Sequence, residues 1–339
     1  MRNKRAIVVL GVALALLHIA ILFAGFIAPY DPAAQNHDLS YAPPAHLHIA
    51  DSSGLHWPFV YRLSSDLDGV HEDRTRRYPI HLFASGDSYE ILWLFRSQRH
   101  LFGVDEPAHA QLLGADAFGR DEFSRLLYGG QISLATGLLA TFITLIVATL
   151  VGTVAGYYGR WVDESLMGTG ELFLSLPWFY FLVGARAFLP LQVSAAGTFL
   201  LLIGVIGLIG WAQPARLVRG IVLSARNRNY VLAARGFGAS DYYLLRRHVF
   251  PETCAILLTQ AALLIPQYVA AEATLSFFGL GISDPTPSWG NMLSALQQYN
   301  VLVSYSWLLA PAGALVVTSV MYWLLADALH RWLQSHSVN

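Results

Sequence analysis

Between Arg216 and Glu252, seven arginines stand against two acids in a half of the chain that is otherwise apolar. Within this island Tyr230, Ala233, Ala234, Arg235, Gly238, Ala239, Ser240, His248 and Pro251 are spaced as two short helices around a glycine break. Residues 230–235 have helical composition, and Gly236 and Gly238 supply a break that tolerates positive φ. Ser240 or Asp241 can cap a second helix, which is expected to stop near Pro251. Small side chains let a partner's groove approach the backbone, and arginines at the rim can pair with its acids. This is the chemistry of docking; the plainer alternative is a loop that only obeys the positive-inside rule.

Three more ionisable residues fall at membrane depth, where charge is costly and usually functional: Glu171, Arg186 and Glu272. They are the candidates for a translocation path. Arg186 could attract a carboxylate near an outer mouth, or snorkel to the interface, or pair with Glu272. Eight of the twelve histidines lie between His37 and His109. Metal binding is the sharp reading of that cluster and polar surface the plain one; with no cysteine nearby and no tight pair beyond His46 and His48, no metal is expected. The only lysine, Lys4, precedes the first apolar segment, so no Walker A loop is available. No hydrolase motif appears, and Cys254 is the only cysteine. The chain is expected to be no enzyme, to carry no cofactor and to bind no nucleic acid.

The elements that must position these residues are membrane helices. With 55% hydrophobic residues, 13% charged and a mean hydropathy of +0.47, the chain reads as an all-α polytopic membrane protein. Apolar segments at residues 6–28, 132–158, 166–189, 197–217, 254–280 and 307–329 predict six spans, with Pro177 kinking the third. The first is too long for a secretory h-region and reads as a retained anchor. Gly152, Gly156, Gly204, Gly207 and Gly210 read as helix-packing positions.

Between the first two spans, acids outnumber arginines 14 to 8 from Asp31 to Arg125, the reverse of the later island. Orientation follows: this region outside, the island and both termini inside. Residues 57–63, 78–83 and 89–95 read as strands of a small β-containing domain. Residues 113–130 read as an amphipathic helix on the outer surface, with Phe123, Leu126 and Leu127 on one side and Asp121, Glu122 and Arg125 facing away. The expected domains are an anchor at 1–30, an outer insertion at 31–112, this helix at 113–130, a core at 131–332 containing the loop 216–252, and a tail at 333–339.

Three runs, in order, resemble motifs of the oligopeptide/dipeptide branch of ABC importer permeases. The island resembles their cytoplasmic "EAA" loop, with Leu232 where the founding pattern has glutamate. Gly114, Asp116, Gly119, Arg120, Asp121, Ser124 and Arg125 resemble the motif that precedes the permease core, with Ala115 in place of threonine. The run from Glu272 through Pro285 to Gly290 resembles the motif at the outer end of the fifth helix. Glu171 stands where relatives often carry aspartate.

The resemblance implies a type I importer subunit, one peripheral helix plus a five-helix core, in a bacterial inner membrane surrounded by lipid. It implies a homologous second permease, two cytoplasmic ATPases that carry the ATP and Mg, and an extracytoplasmic binding protein that delivers peptide. The region 31–112 is then an insertion relative to most relatives. A nickel or metal-chelate importer is the alternative within the class, and an ion-coupled secondary carrier the alternative outside it.

Overall fold

The computed structural model describes every residue except 1, 67–68, 92–94, 176, 178–179, 181–182, 185–193 and 338–339. Most of the chain is helical. It divides into two compact units: Met1–Leu14, Ala135–Glu272 and Thr318–Asn339 form one, and Ala15–Leu134 and Ala273–Val317 the other.

The helices are α1 (Arg2–Leu22), α2 (Glu122–Tyr158), α3 (Arg160–Ser175), α4 (Ala195–Ile209), α5 (Ala212–Ala225), α6 (Asn229–Gly236), α7 (Asp241–Phe277) and α8 (Ala310–Ser337). Among the described residues, four helices are long and apolar enough to cross a bilayer, and α4 with α5 makes a fifth as a pair bent by 43°. Two expected boundaries move. The span placed at 197–217 is two helices, broken at Gly210 and Trp211 and continuing to Ala225. The third span is described as α3 and, beyond it, only at Pro177, Tyr180, Val183 and Gly184; its other residues, including Arg186, lie outside the described residues.

The first unit is held by backbone-to-backbone approach of its helices. A Cβ added to Gly152 would lie 2.5 Å from Ala215 O, and one added to Gly156 would lie 2.8 Å from Arg219 O. α2 therefore rests directly on α5, in the close contact that small residues permit where lipid offers no hydrophobic drive. Gly207 packs on Ala140 and Ile143 of α2 in the same way, whereas Gly204 has nothing within 4 Å and plays no such part. Buried Tyr157, Val218, Val222, Ala225 and Val249 form one apolar cluster, and Ala148, Trp211, Ala212 and Ala215 another.

The second unit holds the β structure. Strands β1 (His48–Asp51), β2 (Gly54–Asp66) and β3 (Gly69–Pro79) form an antiparallel sheet; β4 (His81–Leu82) pairs with β7 (Phe102–Gly103), and β5 (Ser85–Ile91) with β6 (Phe95–Arg99). Residues 78–83, expected as one strand, are split, because β3 ends at Pro79, which has no N–H to extend the ladder. Val60, Tyr78 and Ala108 make one small core, and Leu39, Ala42, Leu63 and Ala115 another.

Candidate functional site

The elbow at 229–249 forms because its sequence ends one helix and starts another within a few residues. Gly238 takes φ +83, a left-handed conformation that only glycine enters without strain. There its N–H bonds Arg235 O at 3.0 Å while Ala239 N–H bonds Ala234 O at 3.1 Å, closing the α6 terminus as a Schellman turn. Ser240, rather than Asp241, caps the next helix: its Oγ accepts from Tyr243 N at 3.3 Å.

That helix does not stop near Pro251. It runs on as α7 to Phe277, through a π-type turn at Leu245–Val249. A proline lacks the N–H for the carbonyl four residues back and crowds it, and the wider turn immediately before Pro251 absorbs both effects.

Two faces of the elbow differ. Val231, Leu244 and Val249 are fully buried, Val249 against Tyr157, Val218, Val222 and Ala225. Outward, Phe237 is 93% exposed, with Tyr242 and Tyr243 also exposed. Ala233, Arg235, Gly238 and Ser240 share this open side, and Ala234, Ala239 and His248 are half-buried.

Polar ties fasten the elbow to its own unit. The Tyr157 hydroxyl donates to Asp241 and accepts from Arg235 Nη2 at 2.7 Å, while the Arg235 guanidinium stands 5.4 Å over the Tyr157 ring. Tyr230 donates its hydroxyl to Glu252, which also pairs with Arg228 at 3.1 Å. The hydrogen bond to Glu252, with burial, holds the Tyr230 phenol above its ordinary pKa. His248 lies between the rings of Tyr230 and Tyr243 at 5.5 and 5.7 Å. One helix over, Arg219 pairs with Asp163, and Arg226 Nη1 donates to Gly156 O at 2.9 Å and Tyr157 O at 3.0 Å. Tyr157, Asp163, Arg219, Arg226 and Glu252 are functional candidates that sequence spacing alone does not single out; the only signal is that Arg219, Arg226 and Glu252 lie within the island while Tyr157 and Asp163 stand at the facing helix ends.

The motif at 114–125 has a different form from the one expected. Residues 114–121 make a tight turn, and the helix begins only at Glu122 and continues without a break to Tyr158. Asp121, Glu122 and Arg125, expected to face away, are 4%, 1% and 2% exposed. Arg125 goes inside because a partner awaits it, whereas Asp121 Oδ1 and Glu122 Oε1 are buried with no hydrogen-bond partner among the described residues. Asp116 Oδ2 accepts from Arg120 Nε at 2.7 Å, and Asp284 Oδ1 accepts from Arg120 Nη1 at 2.8 Å and Arg125 Nη2 at 3.0 Å. Burial pushes the Asp284 carboxyl up, but the two arginines outweigh it and hold it below its ordinary value.

Asp116 Oδ1 accepts the N–H groups of Phe118 and Arg120, Asp121 Oδ2 caps Ser124 N at 2.8 Å, and Ser124 Oγ accepts Tyr30 N. Gly119, at φ +71, is pressed onto Asn36 O, and Gly114 onto Ala42 O. The third motif meets the second here. Trp289, 1% exposed, donates Nε1 to Leu126 O at 2.9 Å, and Gly290 lies against Ala273.

The path candidates that the structure describes sit in different surroundings. Glu171 is exposed and pairs with Arg216 at 3.2 Å, Glu272 is fully buried, and Arg186 lies outside the described residues. Of the histidines between His37 and His109, His46 and His48 share Glu72 Oε1 at 3.2 and 3.0 Å, and His100 places its ring nitrogens on Ala28 O and Asp87 O. Among the described residues, no group of three His, Cys, Asp or Glu side chains could hold a metal ion.

Residues 148–336 match the family described as binding-protein-dependent transport system inner membrane component. Residues 1–44 match the N-terminal TM domain of oligopeptide transport permease C. The chain is 35% identical to a peptide permease protein of Brucella ovis over 66% of this chain and 72% of that one. It is 35% identical to the dipeptide transport system permease protein of Bacillus subtilis over 66% and 68%, and 32% identical to the oligopeptide transport system permease protein of the same species over 69% and 74%.

Proposed function

The chain belongs to the binding-protein-dependent inner-membrane permease family of ABC transporters, and from that premise we propose that it is one half of the translocation path of an ATP-driven peptide importer. Its partners are a homologous second permease, two cytoplasmic ATPases and an extracytoplasmic binding protein. The seven arginines between Arg216 and Glu252 support a cytoplasmic position for the elbow, and with it for both termini, in the inner membrane.

One observation carries the reading: the elbow presents Phe237, Tyr242 and Tyr243 outward on a turn fixed by Gly238, while its other side is fastened into the helices. An exposed aromatic cluster with arginine at its rim is what a partner's groove anchors. Its sequence has no lysine placed for a Walker A loop, so the ATPases bind the nucleotide and this chain's role is mechanical. A push on α6 passes through Arg235, Tyr157 and Asp241 into the end of α2, and through Val249 into α5. Because α2 and α5 touch backbone to backbone at Gly152 and Gly156, they move as one body and convert the push into alternating access. Substrate-loaded binding protein then biases the ATPases in return, as reciprocal linkage requires.

Cross-linking tests this. In a Cys254→Ser background, Ala233→Cys is expected to cross-link to a co-purifying ATPase subunit in membranes that import labelled peptide. A thiol at position 233 that is labelled from the outer side, or a purified complex with no ATPase at the elbow, overturns the reading.

A further inference from the structure

The second unit contains a cleft of about 460 Å³ that the coupling mechanism does not use. Three of its lining side chains carry buried polar atoms with no hydrogen-bond partner among the described residues: His109 Nδ1, Gln111 Oε1 and Asp121 Oδ1. Gln111 is 2% and Asp121 4% exposed, so neither atom is solvated by default. Burying such groups unpaired is costly, and more so when they are charged. Their shared character is acceptance: an amide oxygen, a carboxylate oxygen and an imidazole nitrogen that can accept when its other nitrogen carries the proton. Asp87 and Glu106 add two further carboxylates, and the described lining has no lysine or arginine. His100 is already committed to Ala28 O and Asp87 O. The Tyr30 ring, held by Ala110 N–H on its hydroxyl at 2.7 Å, leans on His109 and offers an aromatic face.

We infer that this cleft binds a small ligand through a primary ammonium group. An ammonium brings three N–H donors and a positive charge to three unpaired acceptors, one of them the Asp121 carboxylate, and to the carboxylates of Asp87 and Glu106, and it sits favourably against an aromatic face. An anionic ligand would meet only like charge. The volume suits a ligand of amino-acid to short-peptide size. Burial pushes the Asp121 carboxyl up to about 6, the direction that an arriving cation reverses. The ammonium could be that of a free amine or the amino terminus of a peptide.

The test is calorimetric titration of the purified full chain with ethanolamine and with triglycine amide. Ethylene glycol and N-acetyl-triglycine amide serve as neutral counterparts, and Gln111→Met and Asp121→Asn as variants. At least one ammonium probe is expected to bind saturably, its neutral counterpart not at all, and each variant to weaken binding about tenfold or more. Binding of ethanolamine alone assigns the site to a free amine, and binding of triglycine amide alone to a peptide terminus. Equal binding of the neutral compounds, no saturable binding of either amine, or unchanged affinity in both variants overturns the inference. Should Asp121→Asn fail to accumulate, Gln111→Met decides. The readout involves no ATPase, so its failure leaves the docking role of the elbow standing.

Discussion

Arg125 Nη2 donates to Asp284 Oδ1 at 3.0 Å, joining two residues 159 positions apart in sequence. Arg120 reaches the same oxygen, and Asp116 serves both arginines from the other side, so two acids balance two cations. Asp284 itself is half-exposed while the guanidinium groups are buried, which makes the acid the cheap partner to remove and the arginines the costly ones to strand. Asp284→Ala is expected to destabilise the chain by about 2 kcal/mol, below the range for breaking a fully buried pair because water reaches one side. Thermal unfolding in detergent checks it; a variant as stable as the parent would show that Asp116 alone suffices.

Gly119→Ala tests the turn in front of α2. The added Cβ would lie 1.8 Å from Asn36 O, backbone that cannot swing aside, at a φ of +71 that alanine resists. A loss of about 3 kcal/mol is expected, against almost none for Gly204→Ala, which has nothing within 4 Å. Comparable expression and melting temperature for the two variants would contradict this placement of the turn.

How much of this could be read from the residues differs by place. The elbow was legible because caps and glycine turns are local: Gly238, Ser240 and the helical run before them act on their immediate neighbours. The run past Pro251 was not, since a π-type turn leaves no mark in composition. The face of the 113–130 segment was misjudged for a related reason. Period-based reading sends charge to water, whereas Glu122 and Arg125 go inside, Arg125 to meet Asp284, and nothing near Arg125 in sequence announces so distant a partner.

Asp121 gives the cluster at 116–125 a pH signature. Burial, opposed only in part by the hydrogen bonds from Ser124 and Phe123, raises its carboxyl from 3.8 to about 6. Between about pH 4 and 6 the folded chain therefore holds a proton that the unfolded chain has released, so this group's contribution to stability worsens as pH rises through that window and is constant above it. Asp121→Asn keeps an oxygen for the Ser124 N–H and does not titrate. Plotted against pH, the melting temperature of the variant minus that of the parent should climb from about pH 4 to 6 and then level. A flat line would mean that the carboxyl is solvated.

Gly238→Val separates coupling from folding. A Cβ added here would meet nothing within 4 Å; what valine opposes is the φ of +83 that closes the Schellman turn. A β-branched residue resists that conformation by roughly 1–2 kcal/mol, enough to swing Phe237 and the α6 terminus but small against the burial of Val231, Leu244 and Val249, which stay seated. Insertion and complex assembly should persist while ATP hydrolysis no longer drives uptake in proportion. Gly238→Asn, which enters the left-handed region more readily, should restore part of the coupling. The ratio of peptide imported to ATP hydrolysed in vesicles containing the full complex is the measurement. A normal ratio for the valine variant would remove Gly238 from the coupling path, and equal defects in valine and asparagine variants would show that the surface of the turn matters rather than its backbone.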